Sequence, residues 1–259
     1  MKKRSIIALV LIALLTIGTF VSCSSSSSSD EVKYADQDFI KSVGKGLEAR
    51  WKLQDKQKDP NAVESMREAV QTELDAVSEY KSAAFEDSVL QEKALKYINV
   101  LSESLENVEY YASDKDYQKW SDVYDQRTII IKDFADNYGL TVSDTYQSKL
   151  DELVANGKTA GAKAEQTAAI EKLVSDLNFE LVEDEYDWKK YEALFENTTD
   201  FEIKSLGIKV SLLDADGVIV ETAYANVDNV SKGQKAKVEF STDATFEKME
   251  PIVDWFDAE

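Results

Sequence analysis

Histidine is absent from this 259-residue chain, and cysteine occurs once. A disulfide within the chain is therefore impossible. So are a Cys/His zinc site and a Ser-His-Asp or Cys-His catalytic apparatus. Basic residues are scarce: 30 Lys and Arg stand against 50 Asp and Glu, for a net charge of −20. That balance argues against a nucleic-acid binder, which needs clustered Lys and Arg on phosphate. With 9 Gly and 2 Pro, the chain also lacks a nucleotide-binding glycine loop, because its glycines fall at helix ends, turns and isolated sites. What is present is a hydrophobic fraction of 43%, ordinary for a folded protein. The length suits one large or two small domains.

The N-terminus reads as an address. Met1-Lys2-Lys3-Arg4-Ser5 is basic, Ile6 to Val21 carries no charge, and Ser22-Cys23 leads into Ser24–Ser29. A positive segment, an apolar segment and a small residue make an export signal. The apolar tract is shorter than the ~20 residues of a membrane-spanning helix. Phe20-Val21-Ser22-Cys23 resembles a bacterial lipobox, with Phe20 where Leu is usual. The resemblance implies that residues 1–22 are removed and that Cys23 receives a diacylglycerol. It also places the protein on the extracytoplasmic face of a bacterial cell membrane, anchored through lipid. A lone Cys in an exported chain is a reactive liability, and acylation removes it while supplying a stable anchor. An uncleaved anchor helix with an incidental Cys23 is the other reading. Residues 23–35 then comprise the acylated Cys and a Ser-rich tether, which composition predicts to be flexible. Loss of Lys2, Lys3 and Arg4 with the signal leaves 27 basic residues against 50 acidic ones, a balance of −23.

From 36 to 177 apolar residues recur at spacings of three and four, which predicts helices. The first spans 36–57 with Phe39, Ile40, Val43, Leu47 and Trp51 on one side, weakened by Gly44 and Gly46. Asp59-Pro60 is a start signal for the second, which carries Val63, Met66, Val70, Leu74, Val77 and Ala84. Asp87 caps a third that runs from Leu90 to Ala112. Ser113 and Asp116 resemble a capping box for a fourth. Its stripe is Tyr117, Trp120, Tyr124, Arg127, Ile131, Phe134 and Tyr138, and Gly139 stops it. Two shorter helices, 143–156 ending at Gly157 and 160–177, complete an antiparallel up-and-down bundle. The Tyr/Trp stripe of the fourth helix reads as core rather than as a ligand platform, because heptad spacing is what a core needs. Arg127 falls at a core position of that stripe. It is either a buried charge paired with a carboxylate or, the commoner outcome, a side chain snorkelling at the bundle edge.

The period changes to two near Asn178, which predicts half-buried strands. Tyr191, Ala193 and Phe195 share one face; so do Leu206, Ile208, Val210 and Leu212; so do Val218, Val220, Thr222 and Tyr224; so do Ala236, Val238 and Phe240. Phe179–Val182 is a further candidate. Asp214-Ala215-Asp216-Gly217 and Ser231-Lys232-Gly233 supply turns. The fold class is thus α+β, with an N-terminal antiparallel helical bundle (36–177) followed by a small antiparallel β-sandwich (178–259).

Residues 178–245 resemble the FxLYD-type domain of bacterial surface lipoproteins. The likeness is carried by Phe195-Glu196-Asn197-Thr198-Thr199, by Val210-Ser211-Leu212-Leu213-Asp214 and by Asp216-Gly217-Val218-Ile219-Val220. Ser231-Lys232-Gly233-Gln234 and Val238-Glu239-Phe240 complete it. Val210 stands for Phe and Leu213 for Tyr in the signature pentad. The resemblance implies an immunoglobulin-like sandwich and no catalytic residues.

No catalytic constellation or metal site emerges. Asp214–Gly217 lacks the later ligands of a calcium loop and reads as a β-turn. The run Glu183-Asp184-Glu185-Tyr186-Asp187-Trp188 is the densest acidic-aromatic stretch, able to bind a cation or a basic partner, and reads first as a solvated connection between domains. Asn197-Thr198-Thr199 matches a glycosylation acceptor, which has no bearing in a bacterial cell. The chain is expected to be a non-enzymatic envelope protein, needing no cofactor, that binds or scaffolds an envelope protein or wall polymer and no nucleic acid. A solute- or cation-binding receptor is the alternative, and a carboxylate-dependent wall hydrolase a weaker one.

Overall fold

The computed structural model describes residues 33–185 and 188–259. The expected signal (1–22), the acylation site Cys23 and most of the tether lie outside the described residues. The tether ends earlier than its composition suggests. Ala35 is buried, and its N–H donates to the Ala84 carbonyl at 2.9 Å.

Among the described residues five helices precede two three-stranded antiparallel sheets, the expected α+β order. The helices are α1 (Asp36–Gln54), α2 (Val63–Asp75), α3 (Ser88–Glu106), α4 (Tyr117–Tyr138) and α5 (Gln147–Ser175). Short 3₁₀ turns at Ser78–Ser82 and Val108–Ala112 end the runs that periodicity extends as helix. Asp59 does not cap α2. Its carboxylate instead accepts from Asn61 N–H in a local turn, and α2 starts at Val63. Asp87 does cap α3, accepting from the N–H groups of Val89 and Leu90. Gly139 ends α4 with φ 71°, a left-handed conformation that costs glycine nothing.

α5 corrects the sequence reading most. It is one helix of 29 residues that passes straight through Gly157, the position read as its stop. Gly157 serves packing instead. A Cβ there would be driven into the Thr128 carbonyl of α4, so the two backbones touch at this crossing. Gly44 acts likewise on α1, where a Cβ would lie 2.5 Å from the Thr141 carbonyl oxygen. Phe39, Tyr97 and Phe134 meet edge-to-face in the bundle core, with centroids 5.5 and 5.6 Å apart.

The strands are β1 (Glu180–Glu185), β2 (Trp188–Glu196), β3 (Ile203–Leu213), β4 (Ile219–Val230), β5 (Lys235–Thr242) and β6 (Lys248–Ala258). Their orders are β1-β2-β5 and β4-β3-β6. Ala193, Phe195, Val238 and Phe240 of the first sheet share a core with Leu206, Ile208, Val210 and Leu212 of the second. Three strand readings change. The acidic run is no linker: Glu183 and Asp184 belong to β1, opposite Lys190 and Lys189 of β2. β4 presents Ala223, Ala225 and Val227 inward and leaves Val220 and Tyr224 exposed, with Val218 exposed just before it, the reverse of the predicted face. Register sets this phase, because Ala223 and Ala225 lie opposite Val210 and Ile208 of β3. β6 carries no plain strand signal in sequence because Pro251 and its acidic residues disguise it, and proline is tolerated on an edge strand such as this one.

The two cores are joined through α5. Ile170 and Val174, near its C-terminal end, are fully buried in the sandwich core beside Phe179 and Phe195.

Candidate binding cleft

Helices α1 to α4 each place one polar side chain at a common buried point. Arg50 of α1 donates from Nη1 to Glu73 of α2 at 2.7 Å. Arg127 of α4 holds both oxygens of the same carboxylate, from Nε at 2.7 Å and from Nη2 at 2.8 Å. The Tyr97 hydroxyl of α3 donates to Glu73 Oε1. Glu73 has no solvent exposure, and the two guanidinium side chains retain 7% and 4%. Arg127 is thus the buried, paired charge and not the snorkelling one.

Burial alone would raise the Glu73 pKa, but the adjacent Arg127 and Arg50 hold it down at about 2. Burial, with Glu73 beside it, pushes the Tyr97 hydroxyl up, so it stays neutral. The two arginines differ. Desolvation and repulsion from Arg127 lower Arg50, whereas Glu73 raises Arg127 against the cost of its own burial. The bidentate grip explains the difference: Arg127 takes the larger share of the one carboxylate available. Two guanidiniums and one carboxylate leave a buried excess of one positive charge, in a chain whose overall charge is −20.

That excess opens onto a cleft of about 300 Å³ lined by Arg50, Trp51, Gln54, Met66, Tyr124, Arg127, Lys149, Glu152 and Leu153. Among the described residues, Arg127 bonds no acceptor other than Glu73, and Arg50 has only Glu73 and, at 3.3 Å, the Met66 sulfur. A guanidinium carries five donor hydrogens, so each keeps donors that Glu73 does not take. Trp51, Met66 and Leu153 give buried apolar wall, and Tyr124 of the α4 aromatic stripe joins them while Trp120 and Phe134 serve the core. At the mouth, Lys149 pairs with Asp55 at 2.8 Å, and Glu152 stands exposed. A larger groove of about 380 Å³ between α4 and α5, lined by Asp122, Asp125, Lys163 and Glu171 among others, has no comparable buried charge.

Of the four network residues Arg50, Glu73, Tyr97 and Arg127, the sequence marked only Arg127. The remaining signal was in the heptads. Val43-Leu47-Arg50, Met66-Val70-Glu73-Val77 and Leu90-Ala94-Tyr97-Leu101 all keep the 4/3 spacing of a core face. A polar group at such a position on three helices at once, with Arg127 on a fourth, is the trace of a buried network.

The other marked positions serve structure. Asn197 is fully buried, with its amide donating to the Phe201 and Val230 carbonyls, which removes it as a surface acceptor for sugar. Asp214 accepts from the N–H groups of Asp216 and Val218, and Gly217 adopts φ 80°, a β-turn closed on itself. Among the described residues no cluster of acids could hold a metal ion, and no helix is long and apolar enough to cross a membrane. No family model matches the chain, and no curated protein matches it.

Proposed function

We propose that this chain is a non-enzymatic, lipid-anchored protein of the bacterial cell envelope, and that the cleft over Arg50 and Arg127 is its recognition site for an extracytoplasmic protein or wall component. The cleft carries this reading. It combines apolar walls with a few fixed polar groups, the make-up of a ligand site. The same geometry weighs against hydrolysis. Two catalytic carboxyls are needed across a glycosidic bond, whereas Glu73 is ionised, immobile and held by three partners. The address rests on the basic, apolar and lipobox-like segments ending at Cys23, and the likeness of residues 178–245 to the FxLYD-type domain accords with it.

A solute-binding receptor is the second reading, favoured by the cleft's volume, which suits a small molecule better than a protein surface. Two measurements test the first. Radiolabelled palmitate should enter the protein in growing cells and be lost with Cys23→Ala, which should also release the chain from membranes. Leu153→Trp, which narrows the cleft, should abolish retention of solubilised wall fragments by the full-length chain. Unlabelled wild-type protein overturns the anchor. Turnover of wall material in a zymogram overturns the non-enzymatic role.

A further inference from the structure

The cleft has a charge preference. Its floor holds two guanidiniums against one carboxylate, all nine-tenths or more buried, with Tyr97 neutral. Buried charge is costly without a partner, and a lone excess charge more so. Arg50 and Arg127 both line the cleft, and each keeps donors that Glu73 does not take. Solvated lysines on a surface attract anions weakly; these guanidiniums are desolvated, fixed by helix packing and already spaced around a carboxylate.

We propose that the cleft binds a small organic carboxylate, its charge on the remaining donors of Arg50 and Arg127 and its apolar part against Trp51, Tyr124 and Leu153. Four features select this class. An excess of one positive charge matches a monoanion and leaves a phosphate dianion undercompensated. A carboxylate's two coplanar oxygens fit a guanidinium fork, as Glu73 does on Arg127 at 2.7 and 2.8 Å. The apolar walls exclude water from one side of the ligand and strengthen the ionic contact. At the mouth Lys149 is neutralised by Asp55 and Glu152 is not paired with it, a net negative charge that disfavours ligands of higher negative charge. This inference rests on the reading of the cleft as a recognition site.

The test titrates the full-length chain with phenylacetate and follows tryptophan fluorescence and heat. 2-Phenylethanol, which keeps the ring without the charge, and dimethyl phosphate, a monoanion of different shape, are the comparisons. Phenylacetate should bind with Kd on the order of 1 mM, the range open to a ligand of about ten heavy atoms. Both comparisons should bind about tenfold more weakly or not at all. Arg50→Met keeps the Glu73–Arg127 pair neutral and whole, so the fold should survive while phenylacetate binding falls about tenfold or more. Glu152→Gln should tighten binding about twofold at low salt and lose that gain at high salt. Leu153→Trp should block it and, because it leaves the charges in place, keeps the proposal testable if Arg50→Met does not fold. The proposal is overturned if phenylacetate fails to bind, if Arg50→Met and Leu153→Trp bind it as wild type does, or if dimethyl phosphate binds better. If 2-phenylethanol binds as well as phenylacetate and Leu153→Trp blocks both, the carboxylate preference falls and the recognition site stands. If no probe binds and Leu153→Trp leaves retention of wall fragments unchanged, both fall.

Discussion

In the sandwich, Asn197 is fully buried and every hydrogen-bonding position of its side chain is used. Its amide donates to the Phe201 and Val230 carbonyls at 2.9 and 2.8 Å, and its oxygen accepts from the Thr199 N–H and hydroxyl at 3.0 and 2.6 Å. In the bundle, Glu73 is served as fully, but the arginines that serve it keep donors of their own and line a cleft. A closed polar network is a fastener: it fixes where the strands and turns meet and asks nothing of solvent or ligand. An open network with leftover charge is costly to maintain and is therefore the place to look for binding.

The open network is most vulnerable at Glu73. Glu73→Gln leaves two buried guanidiniums without a counter-ion, and stability should fall by about 3–5 kcal/mol in denaturant titration at pH 7. A loss under about 1 kcal/mol would mean that water already shares those charges. Acid should tell the same story more gently. The Glu73 pKa is depressed in the folded chain, from 4.5 to about 2. Its contribution is therefore complete above about pH 4.5 and lost as pH falls toward 2, a term of about 3 kcal/mol. In Glu73→Gln the stability curve across that window should be flatter by the same amount.

Asn197→Ala tests the closed network. It strips donors from two carbonyls and an acceptor from Thr199, and each unmade buried bond costs about 1–3 kcal/mol before water enters. A net loss of about 2–3 kcal/mol is expected, with phenylacetate titration of the cleft unchanged. Any change in that titration would show that the sandwich and the cleft are coupled, and α5 is the route, since it lines the cleft at Leu153 and enters the sandwich core at Ile170 and Val174.

How much of this was legible beforehand differs between the halves for physical reasons. The caps at Asp87 and Gly139 and the switch to period two near Asn178 are local signals that read correctly, and helical period finds the helices while overrunning two of their ends. The partner of Arg127 is 54 residues away in sequence, and no local rule selects Glu73 from 50 acids. On β4 both phases of the alternation carry apolar residues, and pairing with β3 decides between them. The stops misread at Gly157 and in the linker at Glu183–Glu185 share a cause. Glycine and charge were taken for breaks, when one is a contact between backbones and the other an edge strand facing Lys189 and Lys190.

Two glycines carry the comparison to its finest scale. A Cβ on Gly157 meets the Thr128 backbone of α4, which cannot yield without moving a helix. A Cβ on Gly207 meets the ring of Trp255, a half-exposed side chain on β6 with solvent on one side to turn into. Gly→Ala adds helix propensity of about 1 kcal/mol at 157, but overpacking of a rigid crossing costs about 1–3 kcal/mol. Gly157→Ala should therefore destabilise by up to about 2 kcal/mol and, because Leu153 sits one turn away on α5, weaken phenylacetate binding. Gly207→Ala should change stability by less than about 1 kcal/mol, since a turned ring and the gain of a strand side chain nearly cancel. Its signature is a red shift in tryptophan emission as Trp255 moves into water, with the cleft untouched. Equal costs at the two sites would mean that the sandwich surface is as rigidly built as the bundle crossing, and that Trp255 is held in place by more than the space above Gly207.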